Sequence, residues 1–452
     1  MVDVAKEDSG ALGVEAWGGL RLRKTVDAAR AARGEWLLVM VFVLGVVLRV
    51  AAFEAPIVRS PDEGTFAAQA RGILAEGSSS IAVAAERVRH DPSLWFVPSP
   101  LRAGYTMLLA GVMRATGHTT ELAGAMLSLA SSMGCLLLAM HLGRRYLSME
   151  AAILGALFMA VSPLELFIAR RAWQEAFTEL LALGLIALAA WAISSVRYRR
   201  TVFLAFAILG GYCIAVKELA AMVFVFCLLW LLANLLLRRE VWAAVALLAT
   251  CLLASGAAVL WLGQLMHGLG AALDFEGMWL RMGHLNPYAI EYETGTPMDL
   301  LAVLVPISPT VFLAGAIGLA GLAALALGRR SAGRPMQRYF AARNVGVACL
   351  LAVFTVVFFG LPLISHYRLN LRFAAVAFGT LDLMAGVGLA AVCIRLRKVM
   401  APLGRVAAMG VLGFALSVAA YRDAEMFHDH FLWSGAQDLS LGLLQQAEQE
   451  VR

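Results

Sequence analysis

The chain has 452 residues, of which 61% are apolar and only 15% are charged, and its mean hydropathy is +0.77. A soluble domain has about half apolar and about a quarter charged residues, so this composition excludes an ordinary soluble fold and indicates a polytopic, all-α membrane protein. The net charge of +6 does not indicate nucleic-acid binding, because the basic residues form short runs between apolar stretches.

The chain begins with 35 mostly polar residues, and the first apolar run, 36–53, follows them. Basic residues precede this run and no small-residue cleavage site follows it, so we expect residues 1–35 to be a cytoplasmic tail and not a signal peptide. Residues 54–120 form a polar first outer loop. Within it, 101–117 is short, broken by glycine and flanked by arginine, which predicts an interfacial helix.

Further apolar stretches approach the length of about 20 residues that a membrane-spanning helix needs. They are 121–141, 150–168, 176–196, 201–216, 219–237, 241–262, 300–327, 344–364, 373–394 and 404–420. Together with 36–53 they predict eleven spans in a domain of 36–420, with a second outer loop at 263–298 and an outer C-terminal tail at 421–452. In this topology every basic cluster between spans lies on the cytoplasmic side.

The cysteines and histidines give no sign of a metal site. All six cysteines lie inside apolar segments without paired spacing, which argues against a disulfide framework or a thiolate site. His118, His141 and His267 show no ligand spacing, so we expect no metal and no other cofactor.

Charge on the predicted outer face is mixed, and such a surface suits an anionic lipid-linked substrate and a proton-abstracting base. The most informative segment follows the first span and contains Ser60, Pro61, Asp62 and Glu63. Ser60 is a favourable N-cap, Pro61 a favourable first residue, and acids suit the first helical turn. From helix chemistry alone, a well-capped interfacial helix and a catalytic acid pair remain equally open.

The acid pair directly after the first span, followed by an alanine-rich helix, resembles the GT-C superfamily of membrane glycosyltransferases. The likeness is to the branch of the protein O-mannosyltransferases and the lipid A aminoarabinose transferase. Other segments resemble that family in the same order along 36–390: they are 100–105, 158–163, 170–175, 210–217 and 372–373.

The resemblance implies a GT-C-type helical bundle with juxtamembrane helices in the first outer loop. It also implies inverting transfer of a hexosyl or pentosyl group from a polyprenyl-phosphate donor to a lipid, glycan or protein acceptor at the extracytoplasmic face. By the family pattern Asp62 is the general base, and Glu63 orients the acceptor or Asp62. The leaving phosphate needs cations. The candidate substrate-binding residues are Arg59, Arg170, Arg171, Lys217, Arg368 and Arg372, with Glu175 at the place of a second loop acid.

The sequence departs from the family at two places, which leaves the acceptor open. Gly64 follows the acid pair where relatives often carry Tyr or Arg, and Phe373 replaces a tyrosine after Arg372. Lys217 and Glu218 could instead neutralise each other at a helix end. Other classes also remain: a transporter or flippase of lipid-linked sugars, for which we find no internal repeat, and a catalytically inactive scaffold subunit.

Overall fold

In a computed structural model of the chain, the described residues are 32–51, 53, 60–95, 98–195, 197–282, 305–331, 343–364, 371–400 and 402–427. These residues form helices, turns and connecting segments, and none of the described ones lies in a β-strand. The predicted all-α class is therefore confirmed. Most of both predicted tails, 1–35 and 421–452, lies outside the described residues, as does much of the predicted outer loop 263–298.

We number the described α-helices of six or more residues in chain order. They are α1 (32–50), α2 (Pro61–Glu76), α3 (Ser79–His90), α4 (Ala103–Thr116), α5 (Glu121–Tyr146), α6 (Met149–Val161), α7 (Pro163–Ile168), α8 (Glu175–Ser194), α9 (Arg199–Val216), α10 (Glu218–Leu237), α11 (Val241–Leu265), α12 (Leu269–Met282), α13 (Pro309–Ser331), α14 (Arg343–Ile364), α15 (Phe378–Val399) and α16 (Pro402–Met426). The described residues also form two 3-10 segments, Pro92–Leu94 and Leu371–Ala377.

Several helices are long and apolar enough to cross a membrane. Among the described residues, six stretches meet this criterion: Glu121–Tyr146, Glu175–Ser194, Arg199–Val216, Glu218–Leu237, Val241–Leu265 and Ala374–Leu396. Shorter apolar helices are Met149–Val161, Pro309–Ala324 and Val345–Gly360. The polytopic architecture is confirmed, whereas the number of eleven spans remains a prediction.

The predicted span 150–168 is two helices, with the break at Ser162 and Pro163. Proline has no N–H for the preceding turn and disfavours helical backbone in the residue before it, and Ser162 has φ −56° and ψ 122°. The Ser162 hydroxyl accepts from the Glu165 N–H at 3.5 Å, which caps the short helix α7. This break turns the chain into a buried loop at 169–174, on which the candidate site is built.

The first outer loop contains three helices among its described residues, and the sequence predicted two of them, α2 and α4. Helix α4 lies within the predicted 101–117, and it packs against α2. Helix α3 buries Ile81, Ala85 and Val88, whose spacing follows one face of a helix. That face packs beside α12, which buries Ala272 and Phe275 in the same apolar cluster. Both unpredicted helices therefore belong to one packed layer of the loop region.

Candidate active site

The acid pair lies in the first turn of α2, as the sequence predicts. Ser60 is the extended N-cap (φ −76°, ψ 157°), and Pro61 is the first helical residue. The Ser60 N–H donates to Glu63 Oε2 at 2.7 Å, which is the reciprocal half of a capping box. Asp62 is half-buried and Glu63 is fully buried. The two acids therefore occupy different environments.

Glu63 joins α2 to the 169–174 loop. Its Oε2 lies 2.7 Å from Nη2 of Arg171, and both side chains are completely buried. Its Oε1 accepts from the Ala172 N–H at 2.6 Å. With the bond from Ser60, this carboxylate holds a cation and two main-chain donors, so it anchors the turn that carries Asp62.

Trp173 fixes the same loop from the other side. Its indole N–H donates to Ser60 Oγ at 2.8 Å, and its ring lies 4.5 Å from the Arg171 guanidinium carbon. The Trp173 carbonyl accepts from Ser128 Oγ at 3.0 Å and from the Tyr105 hydroxyl at 3.1 Å. Helices α2, α4 and α5 are thus all tied to one buried loop.

These contacts place Asp62 between two residues that cannot move independently of the loop. Ser60 and Glu63 are both bonded to it, while Asp62 itself keeps partial access to solvent. A carboxylate in a fixed position at an open edge, next to the positive end of a helix, is suited to accept a proton from a bound acceptor.

Arg170 is a cation held beside an aromatic ring. Its guanidinium carbon lies 5.1 Å from the centre of the Phe427 ring, at the end of α16. Burial lowers the pKa of Arg170 to about 10, so the side chain remains cationic at neutral pH. It is one candidate for the phosphate of an anionic substrate.

Lys217 lies in the break between α9 and α10, where its backbone is extended. Its Nζ lies 2.9 Å from Oε1 of Glu175, and the two side chains are only 6% and 7% exposed. Glu218 pairs instead with Arg102, at 3.0 Å. Mutual neutralisation of Lys217 and Glu218, left open by the sequence, is therefore not the arrangement in the structure.

The structure thus brings together Glu63 with Arg171, and Glu175 with Lys217. Arg59 and Arg368 lie outside the described residues. Arg372 lies on the 3-10 segment Leu371–Ala377, and its side chain is outside the described part of the structure. In the described part of the chain, no group of three or more His, Cys, Asp or Glu side chains is arranged to hold a metal ion.

Sequence reasoning missed a buried charged cluster next to the site. Arg49, Glu165, Glu179 and Asp382 are not among the site residues that the sequence predicts. All four side chains are at most 3% exposed. The signal was available, because each lies inside a stretch predicted as a membrane span, where ionisable residues are costly and usually functional.

The arrangement of helices is similar to that of solved membrane proteins with the GT-C fold. One similar solved structure is the oligosaccharyltransferase AglB from Archaeoglobus fulgidus, in complex with an inhibitory peptide and a dolichol-phosphate. The match has a TM-score of 0.55 and 13% sequence identity, and it covers 89% of this chain and 56% of that chain. ArnT from Cupriavidus metallidurans, bound to undecaprenyl phosphate, matches with a TM-score of 0.52 and 14% identity over 93% of this chain and 78% of that chain.

The apo form of the Archaeoglobus fulgidus oligosaccharyltransferase matches at a TM-score of 0.55 and 11% identity, over 90% of this chain and 56% of that chain. By sequence, the chain matches no protein-family model and no curated protein. The chain spans little more than half the length of the oligosaccharyltransferase. At these identities the likeness shows the fold, and the predicted GT-C architecture is confirmed.

Proposed function

We propose that the protein is a glycosyltransferase that moves a sugar from a polyprenyl-phosphate-linked donor to a lipid, glycan or protein acceptor, on the extracytoplasmic face of the cell membrane. The observation that carries the proposal is the half-buried Asp62, held at the start of α2 by a buried capping and ion-pair network. The fold supports it, because AglB holds a dolichol-phosphate and ArnT an undecaprenyl phosphate.

Asp62 is the proposed general base. A hydroxyl acceptor has a pKa far above neutrality and loses its proton as its oxygen bonds to the anomeric carbon. The Asp62 carboxylate takes this proton while the bond from the sugar to the carrier phosphate breaks. Attack from the face opposite the leaving phosphate inverts the anomeric configuration.

The cations of the site divide between two proposed roles. Arg171 is already bonded to Glu63, so we assign this pair to positioning Asp62. Arg170 and Lys217 are assigned to the carrier phosphate, whose charge grows as the glycosidic bond breaks. Glu175 holds Lys217 in place at 2.9 Å. Arg59, Arg368 and Arg372 are further proposed phosphate ligands on sequence grounds.

A transporter or flippase of lipid-linked sugars is the second candidate, and one observation favours it. The cluster of Arg49, Glu165, Glu179 and Asp382 is buried within the helical bundle, and transporters carry charges at such depths. Against this, the four side chains are sealed from solvent and line no aqueous path in the described structure.

Lipid and glycan profiles of a strain that lacks the chain test the proposal. We expect this strain to accumulate a carrier-linked sugar and to lose one glycan modification. Wild-type protein should restore both, whereas Asp62→Asn should restore neither. Asp91→Asn, at an exposed cap of the 3-10 segment, is a matched control that should complement fully. Unchanged lipids in the deletion strain, or full complementation by Asp62→Asn, would contradict the proposal.

A further inference from the structure

Four buried ionisable side chains lie beside the candidate active site. They come from α1, α7, α8 and α15: Arg49, Glu165 and Glu179 are completely buried, and Asp382 is 3% exposed. Among the described side chains, the cluster thus contains three carboxyl groups and one guanidinium. In a medium of low polarity a single cation cannot offset three ionised acids, because each unpaired charge carries a large desolvation cost.

Arg49 is also largely committed to other groups. Its Nε donates to Ser132 Oγ at 2.8 Å, and its terminal nitrogens donate to the main-chain carbonyls of Gly45, Met159 and Ala160. Its closest approach to a carboxylate is 3.9 Å, to Glu165 Oε2. Arg49 therefore offers Glu165 a distant charge and no short hydrogen bond.

The carboxyl groups of Glu165 and Glu179 face each other within hydrogen-bonding reach. No donor among the described residues reaches either oxygen of Glu165. Glu179 Oε1 accepts from the Gly379 N–H at 3.0 Å, while its Oε2 receives no bond from the described groups. Two facing carboxylates repel each other, and one proton between them would convert that repulsion into a hydrogen bond.

We propose that Glu165 and Glu179 share one proton at neutral pH, and that this acid pair positions the loops of the active site. Glu165 lies on α7, which leads directly into the 169–174 loop. Glu179 lies on α8 and holds Gly379 at the start of α15, directly after the segment Leu371–Ala377. The pair therefore ties together the two segments that carry Arg170 and Arg372.

The surroundings support the shared proton. Two further carboxyl groups lie nearby, Asp382 on α15 beside Glu165 and Asp423 on α16 beside Asp382, so ionising the acids of this cluster together would concentrate negative charge. Cys135 on α5 faces Glu179 as a neutral thiol. Arg49 is the one basic side chain that faces the acid pair in the described part of the chain. Retaining a proton thus lowers the net negative charge of the cluster.

Gly379 shows that the contact is closely fitted. A Cβ at this position would lie 2.7 Å from Glu179 Oε1, so a side chain here would displace the Glu179 carboxyl group. Because Gly379 lies in the first turn of α15, the Glu179 carboxyl binds the main chain close to where the 3-10 segment ends and the helix begins. Glu179 is therefore a positioning residue, and its assigned effect on the donor site rests on the proposed function.

Infrared spectra of the purified protein at neutral pH test the shared proton without any substrate. Glu165→Gln or Glu179→Gln should each be tolerated, because the amide supplies a donor to the remaining acid. At least one of them should lose the carbonyl band of a protonated carboxylic acid, a band that shifts in D₂O. Glu86→Gln, at an exposed glutamate, is the control and should lose carboxylate bands only. If Glu165→Gln and Glu179→Gln both lose only bands of ionised carboxylate, neither residue carries a proton and the proposal is wrong.

Binding of undecaprenyl phosphate to the full chain tests the positioning role. Glu179→Gln keeps a side-chain oxygen that can accept from the Gly379 N–H, so this variant should bind undecaprenyl phosphate like wild type. Glu179→Leu and Gly379→Ala both disrupt the contact and should weaken binding about tenfold, with unfolding followed to confirm intact helices. Wild-type affinity in either disrupted, folded variant would contradict the positioning role. If the wild-type chain itself does not bind, the proposed function is wrong, while the infrared result still decides the shared proton.

Discussion

Consecutive residues on an α-helix project about 100° apart, so Asp62 and Glu63 cannot face the same partners. Glu63 points into the bundle and meets Arg171 and Ala172, while Asp62 remains half-buried at the edge. The Ser60-x-x-Glu63 spacing is that of a capping box, in which the glutamate bonds back to the N-cap residue. The capping and catalytic interpretations are therefore compatible, because different acids serve them.

Glu63→Gln should be costly for stability although it preserves shape. It leaves Arg171 as a buried cation without its carboxylate, and breaking a buried ion pair from one side costs about 3–5 kcal/mol. Thermal unfolding in detergent measures this loss. The double variant Glu63→Gln with Arg171→Met removes the stranded charge and should recover part of it. A single variant as stable as wild type would show that the pair does not anchor α2.

Substitutions at Lys217 and its partner Glu175 can distinguish an effect on protein stability from an effect on donor binding. Lys217→Met strands Glu175 and should destabilise the protein, and adding Glu175→Gln should restore stability. If Lys217 also binds the carrier phosphate, the double variant should still bind undecaprenyl phosphate roughly tenfold more weakly, since a charge-assisted contact contributes about 1.5–3 kcal/mol.

The more exposed pair of Arg102 and Glu218 is the control for Lys217. Its double replacement by Met and Gln should change stability by no more than about 1 kcal/mol, because water screens surface ion pairs. Wild-type binding in the Lys217→Met/Glu175→Gln protein would remove Lys217 from the donor site.

At the scale of elements, α4 sets the distance between the first outer loop and the break at Lys217. The Gly104 carbonyl accepts from the Tyr212 hydroxyl at 2.9 Å, and a Cβ at Gly104 would lie 2.9 Å from the Ala215 carbonyl oxygen. Main chain therefore meets main chain at this junction, and there is no flexible side chain that could yield.

Gly104→Ala should lower both the unfolding temperature and the activity, because α4 must shift away from α9. Gly111 on the same helix is the matched control, since a Cβ there meets no atom within 4 Å. Gly111→Ala should be neutral or stabilising by up to about 1 kcal/mol, as expected for alanine in a helix. Equal unfolding temperatures for the two variants would contradict the tight junction.

Hydropathy predicted the long apolar helices well and the irregular elements poorly. The apolar run 150–168 continues across Ser162 and Pro163, so a count of apolar residues could not detect the break that creates the 169–174 loop. Helices α3 and α12 are amphipathic and lie in polar stretches. A search for membrane spans of about 20 apolar residues therefore does not detect them. The pairing of Lys217 with Glu175 depends on tertiary packing, which cannot be predicted from the local sequence.

For the whole molecule, the distribution of basic residues predicts which face carries the site. A cysteine replacing Arg87, which is exposed on α3, should react with an impermeant thiol reagent from outside the cell. A cysteine replacing Arg200, exposed at the start of α9, should react only after the membrane is permeabilised. The unmodified chain gives the background, since four of its cysteines are buried and two half-buried. The opposite labelling pattern would place the acid pair in the cytoplasm.

The GT-C fold alone does not specify a reaction, because function depends on the site that a fold carries. Here the site has its fixed acid Asp62, an anchoring pair in Glu63 and Arg171, and cations that include Arg170. The central claim is that Asp62 removes the acceptor proton as sugar leaves the carrier phosphate.

Release of free polyprenyl phosphate tests this claim most directly. The purified protein is incubated with the carrier-linked sugar lipid that accumulates in the deletion strain, together with membranes that supply the acceptor. Wild-type protein should release the carrier phosphate, and Asp62→Asn, which preserves size and suits a helix start, should release it about 10²–10⁴-fold more slowly while unfolding at the same temperature. Release at the wild-type rate by folded Asp62→Asn protein would contradict the account and leave Asp62 as a helix-start residue only.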